Sequence, residues 1–450
     1  MSTHDHYATV LRSLVAAIAV LIVHHASAQE LLTLREAIAY GKENSPLMII
    51  AANDRERADA QATEALSSYL PQVNASGQLD NNLKRPTTIL PPGVFSDQPT
   101  PVQFGTQYNT TLNIQAEQTL FDLASLNGIQ AAGPNREMAR IREEQVQEQL
   151  IYEASRAYAA ALTTRLKMQL LDANQAQYDS LVPLMELRRS KGVAQALDVD
   201  RMEVARRNII SQRTVARANM ELAMGQLKQI IGMPLATEIV LVDTLPVGGQ
   251  LIATTQGPFS LDLLNTYRYA ETALLLNGID VRRKRNAYLP TLSAFGRYGA
   301  NAQGNDLGNS YDQWFDYATV GVKVNVPLYS GSRRSSQLKQ SQLALANAQQ
   351  QLKLNSMSWE LEERNARTRM EAALANVEND DANLRLAEEV FRLTEKQYSL
   401  GAAPFSDVLN ADYQLKEARN NYTASLLQYY LAIIDLNKAL GTLIPFANSL

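Results

Sequence analysis

The sequence predicts a mostly helical, internally duplicated chain with a minor β component, in which each half supplies a pair of strands and a long helical hairpin. Three observations carry that expectation. Landmarks of the first half return in the second at one offset: Gly192 and Gly401, Asp198 and Asp407, and Gly232 and Gly441 are each 209 residues apart. Two segments alternate apolar and polar residues with a period of two. The stretch 332–399 contains neither glycine nor proline.

The duplication is legible at further points. Tyr69-Leu70-Pro71-Gln72-Val73 returns as Tyr288-Leu289-Pro290-Thr291-Leu292, and Thr119-Leu120-Phe121 returns as Pro327-Leu328-Tyr329. Leu227 to Gly232 resembles Leu436 to Gly441. Pro71 and Pro290 are 219 apart, which places an insertion in the first copy between its proline and Leu120. So long a period exceeds any solenoid unit and indicates doubling of a whole half-molecule. The expected layout is a signal peptide at 1–28 and a first repeat at 29–232, with strands at 70–82 and 107–121 and a hairpin tip near Gly192. A linker at 233–258 follows. The second repeat covers 259–442, with strands at 289–300 and 314–329 and a tip near Gly401, and 443–450 is a tail.

The first residues read as a secretory signal. Arg12 gives a positive start, residues 14–23 are unbroken apolar, and Ala26-Ser27-Ala28 suits cleavage before Gln29. That apolar run would span only ~15 Å as a helix, about half a bilayer core. All four histidines, His4, His6, His24 and His25, precede the cleavage site, and the chain has no cysteine. The mature protein therefore lacks the usual neutral-pH base, the thiol nucleophile, and the nitrogen and sulfur ligands of zinc and copper sites. We expect no catalytic residues, no cofactor and no resident metal. The formal charge of −4 leaves no nucleic-acid footprint. With no later run of 18 apolar residues, any membrane insertion must use a closed β-barrel.

The second strand of each half alternates clearly. Leu112, Ile114, Ala116 and Leu120 oppose Asn113, Gln115, Glu117 and Thr119, and Val320, Val322, Val324, Val326 and Leu328 oppose Thr319, Gly321, Lys323 and Asn325. Alternation alone fits a half-buried soluble sheet or a membrane barrel, and favours the former. The segment 332–399 shifts that balance, because one helix there would be roughly 100 Å long, beyond what an ordinary core can bury. Its alanine, glutamine, asparagine and leucine, with apolar positions three and four apart, read as a coiled-coil-like seam.

With the paired Tyr-Leu-Pro motifs, the strand exits at Leu120-Phe121-Asp122 and Leu328-Tyr329-Ser330-Gly331, and the two Gly to Asp-Val turns, the chain resembles the TolC family of outer-membrane efflux channels over essentially its whole mature length. The resemblance implies a homotrimer. Each protomer would give four strands to a shared twelve-stranded outer-membrane barrel and its helices to a periplasmic tunnel. Implied partners are a periplasmic adaptor, an inner-membrane pump and outer-membrane lipid; nucleic acid is not among them. The proline-rich loop at 84–107, carrying Pro86, Pro91, Pro92, Pro99 and Pro101, would face outside the cell and block strand addition. Residues 301–313 form its shorter counterpart.

By the same resemblance, Gly192, Val193 and Ala194, with Gly401, Ala402 and Ala403, look like notches where an adaptor docks, although a helical hairpin also needs a glycine cap. The gate would comprise Asp407 as an acidic ring, Asn410 where relatives carry a second acid, and Tyr398 bonded to Asp198; Phe405 would add an apolar plug. An arginine that reinforces closure in some relatives is matched by Ala403. Helix capping is the plainer role for either aspartate. Gly133-Pro134 should kink or restart the first long helix. Two other classes fit the sequence less well. A secreted carboxylate-dependent hydrolase needs paired acids in a cleft, whereas these acids are spread along rods. A periplasmic coiled-coil adaptor or structural protein shares the helices but has no use for duplicated strand pairs.

Overall fold

The computed structural model describes residues 30–93, 97–192, 194–243 and 259–449. The signal segment with Gln29, Val193, and the part of the linker after Asp243 lie outside the described residues. The chain is helix-rich with some sheet. In order it forms β1 (Glu30–Leu32), α1 (Leu34–Asn44), α2 (Pro46–Ser67), β2 (Gln72–Asn81), β3 (Thr87–Leu90), β4 (Thr100–Gln103), β5 (Tyr108–Phe121), α3 (Leu123–Gln130), α4 (Ala132–Ser190) and α5 (Ala196–Ile231). There follow β6 (Ile239–Leu241), α6 (Asn265–Asn286), β7 (Thr291–Gly304), β8 (Trp314–Asn325), α7 (Arg333–Ser399), α8 (Phe405–Leu440) and α9 (Leu443–Ser449). These elements divide into two compact units.

One unit comprises Asp54–Arg140 and Tyr269–Lys353. Its centre is an antiparallel sheet in the order β2-β5-β7-β8, so the strand pair of each half joins through β5 and β7. Which side of that sheet faces out decides what the alternation means. Leu112, Ile114 and Leu120 are 49%, 53% and 49% exposed, and Val320 is 88% exposed. Asn113, Gln115 and Glu117 are the more shielded set. The polar side is internally bonded, with Asn113 Nδ2 donating to Ser76 Oγ at 3.1 Å and Ser293 Oγ to Glu117 Oε1 at 3.3 Å. A soluble half-buried sheet would have the opposite arrangement, whereas a strand facing lipid has this one. No helix among the described residues is long and apolar enough to cross a membrane.

Two local features depart from expectation and a third meets it. The proline-rich loop holds a small hairpin, β3 with β4, in which Pro101 sits opposite Ile89. A two-stranded ribbon leaves each strand one unpaired edge, where proline's missing N–H costs nothing. Strand β8 stops at Asn325, just before Pro327, and Leu328 and Tyr329 stand exposed beyond it. At Gly133-Pro134 the helix restarts: α3 ends, Ala131 bridges, and Pro134 falls in the first turn of α4, where no donor is required.

The other unit contains residues up to Asn53, Ile141–Arg268 and Leu354 onward. Its larger core gathers Leu34 and Ile38 from α1, Ile151 and Leu162 from α4, Leu227 and Ile231 from α5, Ile433 and Leu436 from α8, and Phe446 from α9. Beside it β1 pairs in parallel with β6. Thr33 and Glu36 form a reciprocal capping box that starts α1. Helices α5 and α8 both end in left-handed glycines pressed against backbone. A Cβ on Gly232 would lie 2.5 Å from the Asn44 carbonyl oxygen, and one on Gly441 would lie 2.5 Å from that of Leu263.

Alanine at either position therefore meets two penalties, a left-handed backbone costing about 1–2 kcal/mol and a clash that only backbone movement relieves. We expect Gly441→Ala to lower unfolding stability by roughly 3 kcal/mol, a large effect for one substitution. Denaturant melts followed by helical circular dichroism would show this as an earlier midpoint, and an unshifted midpoint would refute it.

Candidate functional site: the helical hairpin tips

The tips are two short turns, 191–195 between α4 and α5 and 400–404 between α7 and α8. Gly192 adopts φ +74° and Gly401 φ +73°, and each donates its N–H to the preceding turn, to Arg189 O at 2.9 Å and Tyr398 O at 3.0 Å. Ala402 N–H reaches back to Gln397 O at 2.8 Å, which completes a Schellman closure of α7. Both glycines thus fulfil the capping requirement. Space around them is open, since a Cβ on either would meet nothing within 4 Å. Ala402 is exposed, Ala403 is half-buried, and Ala194 packs against the tip core.

That core consists of Leu171, Tyr178, Val182 and Met185 of α4, Val199, Met202 and Ile209 of α5, and Phe405 of α8. Pro183 interrupts the α4 ladder within it. Phe405, expected above to add an apolar plug, is buried in this core. As the first residue of α8, its side chain turns into the hairpin interface, 9% exposed, with its ring 5.4 Å from that of Tyr398.

The expected bond from Tyr398 to Asp198 is also not formed. Tyr398 Oη points at Met185 Sδ, 3.7 Å away, and the Arg188 guanidinium lies 6.0 Å from the ring centre. Asp198 instead pairs with Arg201 one turn along α5, at 3.7 Å. A partner on the same helix face needs no rearrangement of the tip, so this pair forms in place of the long-range one.

Neither aspartate caps its helix. The N-cap residues are Gln195 for α5 and Pro404 for α8, and neither makes a side-chain cap bond. Asp407 and Asn410 are exposed on the first turns of α8. The Asp407 carboxylate accepts a long hydrogen bond from Ser406 Oγ at 3.4 Å.

The structure also brings together a polar group that sequence reasoning missed. Tyr178 Oη donates to Asp412 Oδ2 at 2.6 Å, and Lys416 Nζ donates to the same oxygen at 2.5 Å. Burial, then the bond and charge of Asp412, hold the Tyr178 hydroxyl above its ordinary pKa. Tyr178 and Asp412 are 234 residues apart, and no spacing rule links them.

Residues 38–233 and 270–442 match the outer membrane efflux protein family. Similarity extends along whole chains. The outer membrane protein TolC of Vibrio cholerae is 23% identical over 91% of each chain. The outer membrane efflux protein BepC of Brucella suis is 27% identical over 90% of this chain and 84% of its own length. Two further relatives are protease secretion proteins. Among solved structures, the outer membrane protein VceC of Vibrio cholerae superposes with a TM-score of 0.71 at 16% identity, over 91% of this chain and 96% of that one. The chain belongs to the outer membrane efflux protein family. It is an outer-membrane channel of the efflux and secretion type, a transport protein in class.

Proposed function

We propose that three copies assemble into one passive duct, each giving its four strands to a shared barrel in the outer membrane and its two helical hairpins to a tunnel in the periplasm. The observation that carries this reading is the sheet. Its apolar side is the exposed side, and its edge strands β2 and β8 each pair on one side only. Unpaired backbone groups in hydrocarbon cost several kcal/mol each, and four strands cannot close on themselves. Three copies supply twelve strands and remove every edge. The matched strand pairs and the twin glycine contacts at Gly232 and Gly441 support a duplicated origin for the two halves.

In this reading Gly192, Val193 and Ala194, with Gly401, Ala402 and Ala403, receive a periplasmic adaptor, which couples the duct to an inner-membrane pump. Asp407 and Asn410 line the constriction at the tips. The cargo passes through without chemistry, as efflux substrate or as secreted protein. Outer-membrane fractions should yield a band of three chains that collapses to one on heating. A monodisperse monomer in the periplasmic fraction would end the proposal.

A further inference from the structure

Helices α4 and α8 run antiparallel and are tied at two stations of one construction. In each, a tyrosine of α4 donates to an aspartate of α8, and a lysine one turn further along α8 lies against the tyrosine ring. At the first, Tyr152 Oη donates to Asp435 Oδ1 at 2.9 Å and Lys438 Nζ lies 4.0 Å from the ring centre. At the second, Tyr178 donates to Asp412 and Lys416 Nζ lies 4.5 Å from the ring centre. At 1.5 Å per residue the two tyrosines are roughly 39 Å apart and the two aspartates roughly 35 Å.

The surroundings differ. Asp435 is flanked by Ile433, Ile434 and Leu436, all within the larger core. The second station stands among cavities. One of about 900 Å³ is lined by Val204, Ile209, Ala216 and Tyr413. Two others, of about 280 Å³ and about 250 Å³, adjoin Asp412. Tyr178 itself belongs to the tip core, and beside the voids around Asp412 the polar contacts add to that packing in tying the hairpins together. Tipward of Asp435, the hydrogen bonds that cross from α4 and α5 to α7 and α8 among the described residues are those of Tyr178 and the contact from Tyr398 to Met185. Arg156 of α4 pairs with Asp435 of α8 at the first station, at 3.1 Å, whereas the ion pairs nearer the tips stay within one hairpin, as do Arg206 with Asp179 at 3.2 Å and Arg419 with Glu388 at 3.1 Å.

We propose that Tyr178, Asp412 and Lys416 form the latch that positions the α7–α8 tip at the constriction, in place of a Tyr398 to Asp198 bond. The inference rests on the duct reading above. The first station, held by a full core, is the fixed end of the lever. The second is the releasable one, because the adjoining cavities leave it room to move. Asp412 thereby governs the gate without lining it.

The test uses the full-length trimer in planar bilayers, with spin labels on cysteines introduced at exposed Ser180 and Glu417 of an otherwise cysteine-free chain. Tyr178→Phe, which removes only the hydroxyl, should raise resting open probability by roughly tenfold, the factor expected for losing a hydrogen bond to a charged group. It should also broaden the label-to-label distance. Asp412→Asn should do the same, and the double variant should add little, since both changes remove one contact. Tyr152→Phe should leave resting conductance unchanged. Wild-type conductance and distances in intact Tyr178→Phe trimers would overturn the latch. If Tyr178→Phe assembles poorly, Lys416→Gln is read against the same two outcomes. Broadened distances with no conductance from any protein, wild type included, would uphold the latch and sink the duct reading.

Discussion

In planar bilayers, Asp407→Ala is expected to lose most of the channel's preference for cations, with its cation-to-anion permeability ratio falling about tenfold, the lower end of what a like-charged lining contributes to local ion concentration. Three-fold symmetry would bring three such carboxylates around one axis, and a ring of like charge in a narrow pore draws cations to it. The local structure makes this substitution clean. Asp407 is exposed and makes no cap bond that alanine would forfeit, so helix α8 should stay intact. Block by multivalent cations should disappear with the preference. Asn410→Ala, one turn along on the same face, carries no charge and should change selectivity little. An unaltered permeability ratio in Asp407→Ala would place the aspartate away from the pore axis.

Ala402→Trp should abolish adaptor cross-linking and efflux while leaving trimer yield at the wild-type level. Ala402 is exposed, its N–H is committed to the Schellman closure, and the space beside Gly401 is empty. The fold can therefore accept a bulky side chain there, and only a docking partner would meet it. Gly401 itself is the wrong position for the test. Its φ of +73° means that any side chain strains the turn, and a loss of efflux would then report strain as readily as blocked docking. A bulky replacement at Pro92 serves as the comparison, and an equal loss from it would show that the docking surface has been misplaced.

How far this was legible in the sequence varies with the range of the interaction involved. Period-two alternation in Leu112 to Leu120 marks a strand because side chains on a strand must alternate. It cannot say whether Ile114 faces core or lipid, since both arrangements have the same period, and only the assembled sheet distinguishes them. The glycines at 192 and 401 are visible because a left-handed cap is a local need, fixed by the residue itself. The burial of Phe405 was not legible, because an aromatic at a helix start looks the same whether it turns outward or inward. Its direction is set by Met185 and Tyr178, far away in the chain. Tyr398 followed the same rule, with a sulfur from α4 in place of the expected carboxylate. The ribbon at β3 and β4 was hidden by the prolines, which forbid a central strand and tolerate an edge.

The unpaired edges of β2 and β8 also bear on how such a protein matures. The unit with the large core encloses Ile151, Leu227, Ile433 and Phe446 from four helices of one chain, so it can reach its final packing by itself. The sheet does not, because alternate residues of β2 and β8 carry backbone groups unpaired at its edges, which the proposed trimer would pair with another copy, and its valines have no shelter in water. On the trimer reading, a new subunit would spend its early life with a finished helical core and an adhesive, unfinished sheet. Its survival would then depend on how quickly it met two further copies and a membrane, a race against misassociation that grows less favourable as chains become scarce at the membrane or crowded in the compartment before it.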